Sequence, residues 1–269
     1  MTAAVTATDL TLAHGPRVAL ADASFVLPEG RTVALIGPNG SGKSTLLRAM
    51  AGLLAPRSGS LDVAAARRRG GVSLVLQTTE VDRALPLTVG EAVTMARYPH
   101  RGVLGRMTRA DRAAVDTALE RLEVADLRRR QLSELSGGQR QRVLVAQGLA
   151  QEADLVLLDE PVTALDAVSH TLIDAAVEAE RDAGRTVVTS THDLADARRA
   201  DLVLLLAGRV VAAGPPDQVL TEVGLGDAYG GRLVAMGDKF LLFDDPHHHH
   251  VHPDPPGPRQ TPGRGDTHE

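Results

Sequence analysis

The densest chemistry in this 269-residue chain lies in GPNGSGKST, Gly37 to Thr45, which follows the apolar run Val33-Ala34-Leu35-Ile36. The stretch fits GxxxxGK[ST] and stands between a predicted strand and a predicted helix, the context that makes this pattern specific for phosphate. Gly37, Gly40 and Gly42 let the backbone curl with its N–H groups inward, where side chains would block an anion. Pro38, Asn39 and Ser41 fill the rest of the turn. A helix starting near Lys43 adds free N–H groups and the positive end of its dipole. On this reading Lys43 reaches the β- and γ-phosphates of a nucleoside triphosphate, and Ser44, followed by Thr45, holds Mg²⁺. Of the 29 lysines and arginines only Lys43 and Lys239 are lysine, so a compact ammonium stands where a point charge suits the loop.

Asp159 and Glu160 form the second group, at the end of the apolar run 155–158. Adjacent carboxylates at a buried strand end repel unless a cation sits with them, which favours a metal-linked role. Alternation along a strand sends them in different directions. Asp159 then serves as the Mg²⁺ partner, and Glu160 polarises the water that attacks the γ-phosphate. An acidic turn before Pro161 is the alternative when the pair is taken alone. The third group is Ser136-Gly137-Gly138-Gln139, in which Ser136 and Gln139 have capping-box spacing. It starts a helix, and its uncovered N–H groups could also take an anion. A single chain has no need of two such sites for one triphosphate.

These groups need a scaffold. The runs 32–36, 72–76, 155–158 and 186–190 read as buried parallel strands. They exit into Gly37, Gln77, Asp159-Glu160 and Thr191-His192, and open α/β sheets bind ligands at such strand ends. Helical patterns cover 44–54, a stretch capped by Thr88 and Glu91, 108–122 and 137–150. The segment after Gln77 has no strong strand signal and reads as a helical insert in an α/β core, whereas 201–214 reads as a hairpin turning at Ala207-Gly208. His100 and His170 read as surface residues.

Beyond Pro246 histidine, proline and glycine dominate, and such a stretch cannot bury enough surface to fold. His247 to His250 with His252 could gather Zn²⁺, or belong to a solvated linker or a tag remnant. Hydrophobic residues make up 43% of the chain, enough for a core, and the net charge of −5 argues against nucleic acid as a partner. The chain has no cysteine, which suits a reducing compartment. Neither a secretory signal nor an apolar run of membrane-spanning length is visible.

With LSGGQRQR at 135–142 added, the chain resembles the ATP-binding subunits of ABC transporters. The order of the phosphate loop, Gln77, the signature, the acids, TALD at 163–166 and His192 in STHD is that family's order. The resemblance implies an α/β fold of the P-loop NTPase ABC ATPase type. Its core sheet is mostly parallel, with an N-terminal antiparallel β region and a helical insert. It assigns 1–245 to the ATP-binding domain, with the core at 1–77 and 152–245 and the insert at 78–151, and leaves 246–269 as a disordered tail. It further implies a head-to-tail homodimer in which each ATP, with Mg²⁺, bridges Lys43 of one copy and Ser136, Gly137, Gly138 and Gln139 of the other. By the same carry-over, Gln77 contacts Mg²⁺ or the attacking water, His192 bonds the γ-phosphate, and Asp166 lies beside the partner's phosphate loop. His14 occupies the place of the family's adenine-stacking aromatic, and a surface histidine in a β-turn is its other reading.

Residues 78–106 are similar to the corresponding segment of zinc and manganese importers, although siderophore and cobalamin importers carry related text. That similarity implies integral membrane permease subunits as partners, an extracytoplasmic metal-binding protein further upstream, and a place on the cytoplasmic face of the membrane. Zinc is the leading cargo. A soluble ABC ATPase acting as an assembly factor is the alternative of a different class.

Overall fold

A computed structural model describes residues 2–76, 86–102, 105–162 and 165–230, together with the backbone of two short strands near the end. The chain opens with a hairpin, β1 (Ala3–His14) and β2 (Arg17–Pro28). β3 (Thr32–Ile36) leads through the phosphate loop into α1 (Lys43–Met50), and β4 (Ser58–Val63) and β5 (Val72–Val75) follow. A helical stretch comes next, with α2 (Val89–Met95), α3 (Tyr98–Arg101), α4 (Arg109–Arg121) and α5 (Gly137–Ala150). Strands then alternate with helices: β6 (Leu155–Asp159), α6 (Ala167–Asp182), β7 (Thr186–Ser190), α7 (Leu194–Arg199) and β8 (Leu202–Leu206). The rest comprises β9 (Val210–Gly214), α8 (Pro216–Val219), α9 (Glu222–Tyr229) and the antiparallel pair β10 (Leu233–Met236) and β11 (Lys239–Leu242).

The central sheet runs β5-β6-β7-β3-β8-β9, parallel throughout except for β9. A second sheet, β2-β1-β4, is antiparallel. The uninterrupted apolar runs follow from burial of the central sheet on both faces. Val33 and Leu35 of β3, Leu155 and Leu157 of β6, and Leu204 and Leu206 of β8 pack against α1 and the antiparallel sheet. Their neighbours face the other way: Val156 and Leu158 meet the helical stretch and α6, while Ala34, Ile36, Val203 and Leu205 meet α7 to α9.

The sequence-predicted strands appear within a residue of their expected bounds, and the hairpin at 201–214 forms as β8 and β9. The first predicted helix is shorter than expected. It ends at Met50 because Gly52 turns left-handed, with its N–H donating to Ala49 O and that of Leu53 to Arg48 O, the paired bonds that close a helix on glycine.

The helical stretch is held by an ion cluster built on buried Arg97 and Asp111, with exposed Arg101 and Glu152 at its edges. Arg97 Nε donates to Asp111 Oδ1 at 3.0 Å and Arg101 Nε to Oδ2 at 2.8 Å, while Arg97 Nη1 reaches Ala150 O at 2.8 Å and Glu152 Oε2 at 2.9 Å. Thus α3, α4 and the end of α5 share one charged knot. His100 and His170 are not plain surface residues. His100 is half-buried and its Nε2 donates to Gln151 O at 2.7 Å. His170 lies between Asp174 and Asp196, at 3.1 and 3.4 Å. Among the described residues no helix is long and apolar enough to cross a membrane.

Candidate active site

β3, β6 and β7 lie side by side, and their carboxyl ends bring the phosphate loop, Asp159-Glu160 and Thr191-His192 together. Gly42 takes φ +103, and a Cβ there would come within 2.8 Å of Ala19 O, so only glycine suits this corner. The loop is braced from the β8–β9 hairpin: Gly208 N donates to Ser41 O at 3.0 Å, and a Cβ on Gly37 would stand 2.0 Å from Leu206 O. Lys43 is buried, and its Nζ donates to Gly37 O at 2.7 Å and Pro38 O at 3.3 Å, which pins the ammonium under the loop. α1 starts with no side-chain cap, whereas Ser136 Oγ accepts from Gln139 N at the start of α5. The first N–H groups of α1 are therefore open to an anion. Ser41 Oγ is buried with no hydrogen-bond partner among the described residues. This cradle fits a triphosphate.

Asp159 is buried at the end of β6, where its Oδ1 accepts from Ser44 Oγ at 3.0 Å and from Ser190 Oγ at 2.7 Å. A helix-start hydroxyl beside a strand-end carboxylate is the donor pair that P-loop proteins offer to Mg²⁺. The residues fit that ion. Glu160 turns out of the strand with φ +46, and its N–H donates to Ser190 Oγ at 2.9 Å. Left-handed backbone at a non-glycine residue costs about 1–3 kcal/mol, so the fold holds Glu160 there against a local preference. Its Oε2 lies 3.8 Å from His192 Nδ1, beyond hydrogen-bond range.

A cavity of about 370 Å³ opens beside these groups, lined by His14, Arg17, Ala19, residues 39–45 and Glu160. His14 Nε2 is 3.2 Å from Thr45 Oγ1. Ser136, Gly137, Gly138, Gln139 and Asp166 do not line this cavity. They meet each other instead: a Cβ on Gly138 would lie 3.0 Å from Asp166 Oδ2, and Asp166 caps α6 by accepting from Ser169 N at 2.8 Å. That backbone N–H holds the Asp166 carboxyl below the usual carboxylate range, so it is anionic at neutral pH. Gln77 and the tail histidines lie outside the described residues.

The family model described as ABC transporter matches residues 20–163. The manganese transport system ATP-binding protein MntB of Bacillus subtilis is 37% identical over 237 residues, 87% of this chain and 95% of MntB. The zinc transport system ATP-binding protein TroB of Treponema pallidum is 40% identical over 234 residues, covering 86% and 88% of the two chains. The chain belongs to the ABC transporter family, as an ATP-binding subunit. A solved ABC transporter in an inward-facing conformation superimposes with a TM-score of 0.75 at 26% identity, over 89% of this chain and 96% of that one.

As an ABC ATPase, the chain binds and hydrolyses nucleotide. Its sequence motifs fall into two separate places: the phosphate loop, Asp159 and Glu160 at one, and the signature residues with Asp166 at the other. Ser190 escaped sequence reading, because a serine ending an apolar strand gives no hint of a partner 31 residues away. The His170, Asp174 and Asp196 ligand atoms lie within 4.8 Å of one another, and Arg199 Nη2 reaches both acids at 2.6 and 2.7 Å. Burial pushes the Asp174 carboxyl up. We read the group as an ion network tying α6 to α7, just beyond His192.

Proposed function

We propose that this chain is the ATP-hydrolysing subunit of an importer for a divalent metal ion, zinc in our reading, and that it works as a head-to-tail homodimer closing on two ATP. The observation that carries this reading is the separation of Ser136–Gln139 from the phosphate cavity within one chain. A helix start that does not border its own chain's phosphate cavity finds a triphosphate only when a second copy brings one to it. Lys43 and the loop N–H groups bind the β- and γ-phosphates, Glu160 orients and deprotonates the attacking water, and His192 bonds the γ-phosphate. Ser44 and Asp159, with Gln77, would hold Mg²⁺, which when bound neutralises charge on the phosphates. Asp166, fixed as an anion at the start of α6, lies at the copy-to-copy boundary.

Closure follows from anion contacts added across the boundary, and hydrolysis removes the phosphate that both halves hold. The helical insert, residues 78–151, transmits that cycle to integral membrane permease subunits from the cytoplasmic face. An extracytoplasmic metal-binding protein delivers the ion on the other side. The likeness to TroB supports zinc. The likeness to MntB, of similar strength, supports manganese as the second reading. Transport by the complete complex under competition among Zn²⁺, Mn²⁺ and Fe²⁺ decides between them, with zinc uptake resistant to excess manganese expected. A structure with non-hydrolysable ATP and magnesium in which each copy encloses its nucleotide alone would overturn the shared site.

A further inference from the structure

His192 is placed by its backbone. Its ring is exposed and makes no hydrogen bond with any other described residue, so its position follows from the elements on either side. On the β7 side the chain is fixed: Thr191 N donates to Leu35 O at 3.0 Å, and Thr191 Oγ1 accepts from Asp193 N at 3.0 Å. On the other side Asp193 caps α7 by accepting from Ala195 N, and α7 has six residues, of which Ala197 alone is buried. So short a helix has little stability of its own.

Nor does α7 share an apolar cluster with α6. Leu194 and Ala197 pack with Ala34, Ile36 and Val203, whereas Ile173 and Ala176 of α6 belong with Val143, Val156 and Leu158. A cavity of about 80 Å³ lies between the two helices, bordered by Ala34 and Thr191 on the sheet side, by Ile173 and Asp174 of α6, and by Asp196 and Arg199 of α7. Across it the contacts are ionic. Arg199 Nη2 reaches Asp174 at 2.6 Å while holding Asp196 of its own helix at 2.7 Å, and His170 of α6 lies 3.4 Å from Asp196. Asp196 is mostly buried and Arg199 is exposed, so the guanidinium forms the outer end of this bridge.

We propose that Arg199 is a positioning residue for ATP hydrolysis: by bridging Asp174 and Asp196 it holds α7, and through α7 it holds His192 in place for the reaction. The inference rests on the reading of His192 as a γ-phosphate contact. Misplacing a reacting or stabilising group by about 1 Å costs up to about a hundredfold in rate. Arg199 does not border the phosphate cavity, so its removal acts on turnover and leaves nucleotide binding alone. One nitrogen, Nη2, makes both contacts, and an ammonium can therefore stand in for the guanidinium.

The test is steady-state ATP hydrolysis by the full-length chain carrying Arg199→Ala, Arg199→Lys, His192→Ala, or Arg199→Ala with His192→Ala. For Arg199→Ala, kcat is expected to fall about ten- to a hundredfold with KM for ATP unchanged. Its melting temperature should drop by no more than about 4 °C, because partly exposed ion pairs add little to stability. Arg199→Lys is expected to recover kcat to within about threefold of wild type. In the His192→Ala background, Arg199→Ala should cost nothing further, since the group it positions is gone. The proposal is overturned by wild-type kcat in Arg199→Ala, by a lysine variant as slow as the alanine one, or by an undiminished loss in the double variant, which would mark Arg199 as acting by another route. His192→Ala alone tests the underlying reading separately. If that variant turns over at the wild-type rate, His192 is not the γ-phosphate contact, whatever Arg199 does.

Discussion

One oxygen of Asp159 accepts from both Ser44 and Ser190, so a single atom joins α1, β6 and β7 at the point where phosphate would sit. Ser190 Oγ also receives the N–H of Glu160, and thereby fixes both acids. We expect Ser190→Ala to raise the magnesium concentration needed for half-maximal hydrolysis by about ten- to a hundredfold, as loss of a carboxylate's supporting bond does in metal sites. A magnesium titration of ATPase activity checks this. For Glu160→Gln the expected fall in turnover is about 10²- to 10⁴-fold, the usual worth of a general base, with ATP binding retained. Sustained hydrolysis would show that another group activates the water. The phosphate loop was legible in the sequence because its glycines and lysine act on their own neighbours. Ser190 was not, because its meaning comes from Asp159 on a neighbouring strand 31 residues away.

Among the elements, the central strands were readable since burial on both faces leaves an unbroken apolar run. β1 and β2 were harder. Their register shifts repeatedly and Asp9 and Asp22 turn left-handed, so the alternation that marks a half-buried strand is broken. An antiparallel N-terminal sheet was therefore implied by family resemblance alone. The helical stretch depends on Asp111, fully buried between Arg97 and Arg101. Burial pushes its carboxyl up, but the Thr108 hydroxyl and N–H and the two guanidinium groups outweigh that and hold it well below the carboxylate range. A depressed value in the folded state means that the unfolded chain takes up the proton first. The stabilisation is complete above the unfolded carboxyl value near about pH 4 and is lost as pH falls toward the folded one. Asp111→Ala is expected to cost about 3 kcal/mol at pH 7, because buried Arg97 loses a buried partner, although it keeps Glu152, and exposed Arg101 loses one as well. Urea melts at neutral and acid pH check both statements: the gap between wild type and variant should narrow as the solution is acidified.

For the molecule as a whole, the phosphate cavity and the helix start at Ser136 stand apart on one chain, and the surface that carries Ser136, Gly138 and Asp166 is exposed or half-exposed. Glu160→Gln should accordingly become a stable dimer when magnesium and ATP are added and return to monomer on their removal, as read by light scattering. A monomer under saturating nucleotide would remove the basis for a shared site. The turn at Ala207-Gly208 bears on practical work with this protein. Gly208 grips Ser41 on one side and receives the N–H of Ala21 on the other, at 3.0 and 2.8 Å. Tips of strand hairpins are the customary place to graft an epitope or a reporter. Here such a graft is expected to slacken the grip on ATP while the melting temperature holds, whereas a small dye on the neighbouring exposed Arg209 position would act as an occupancy gauge.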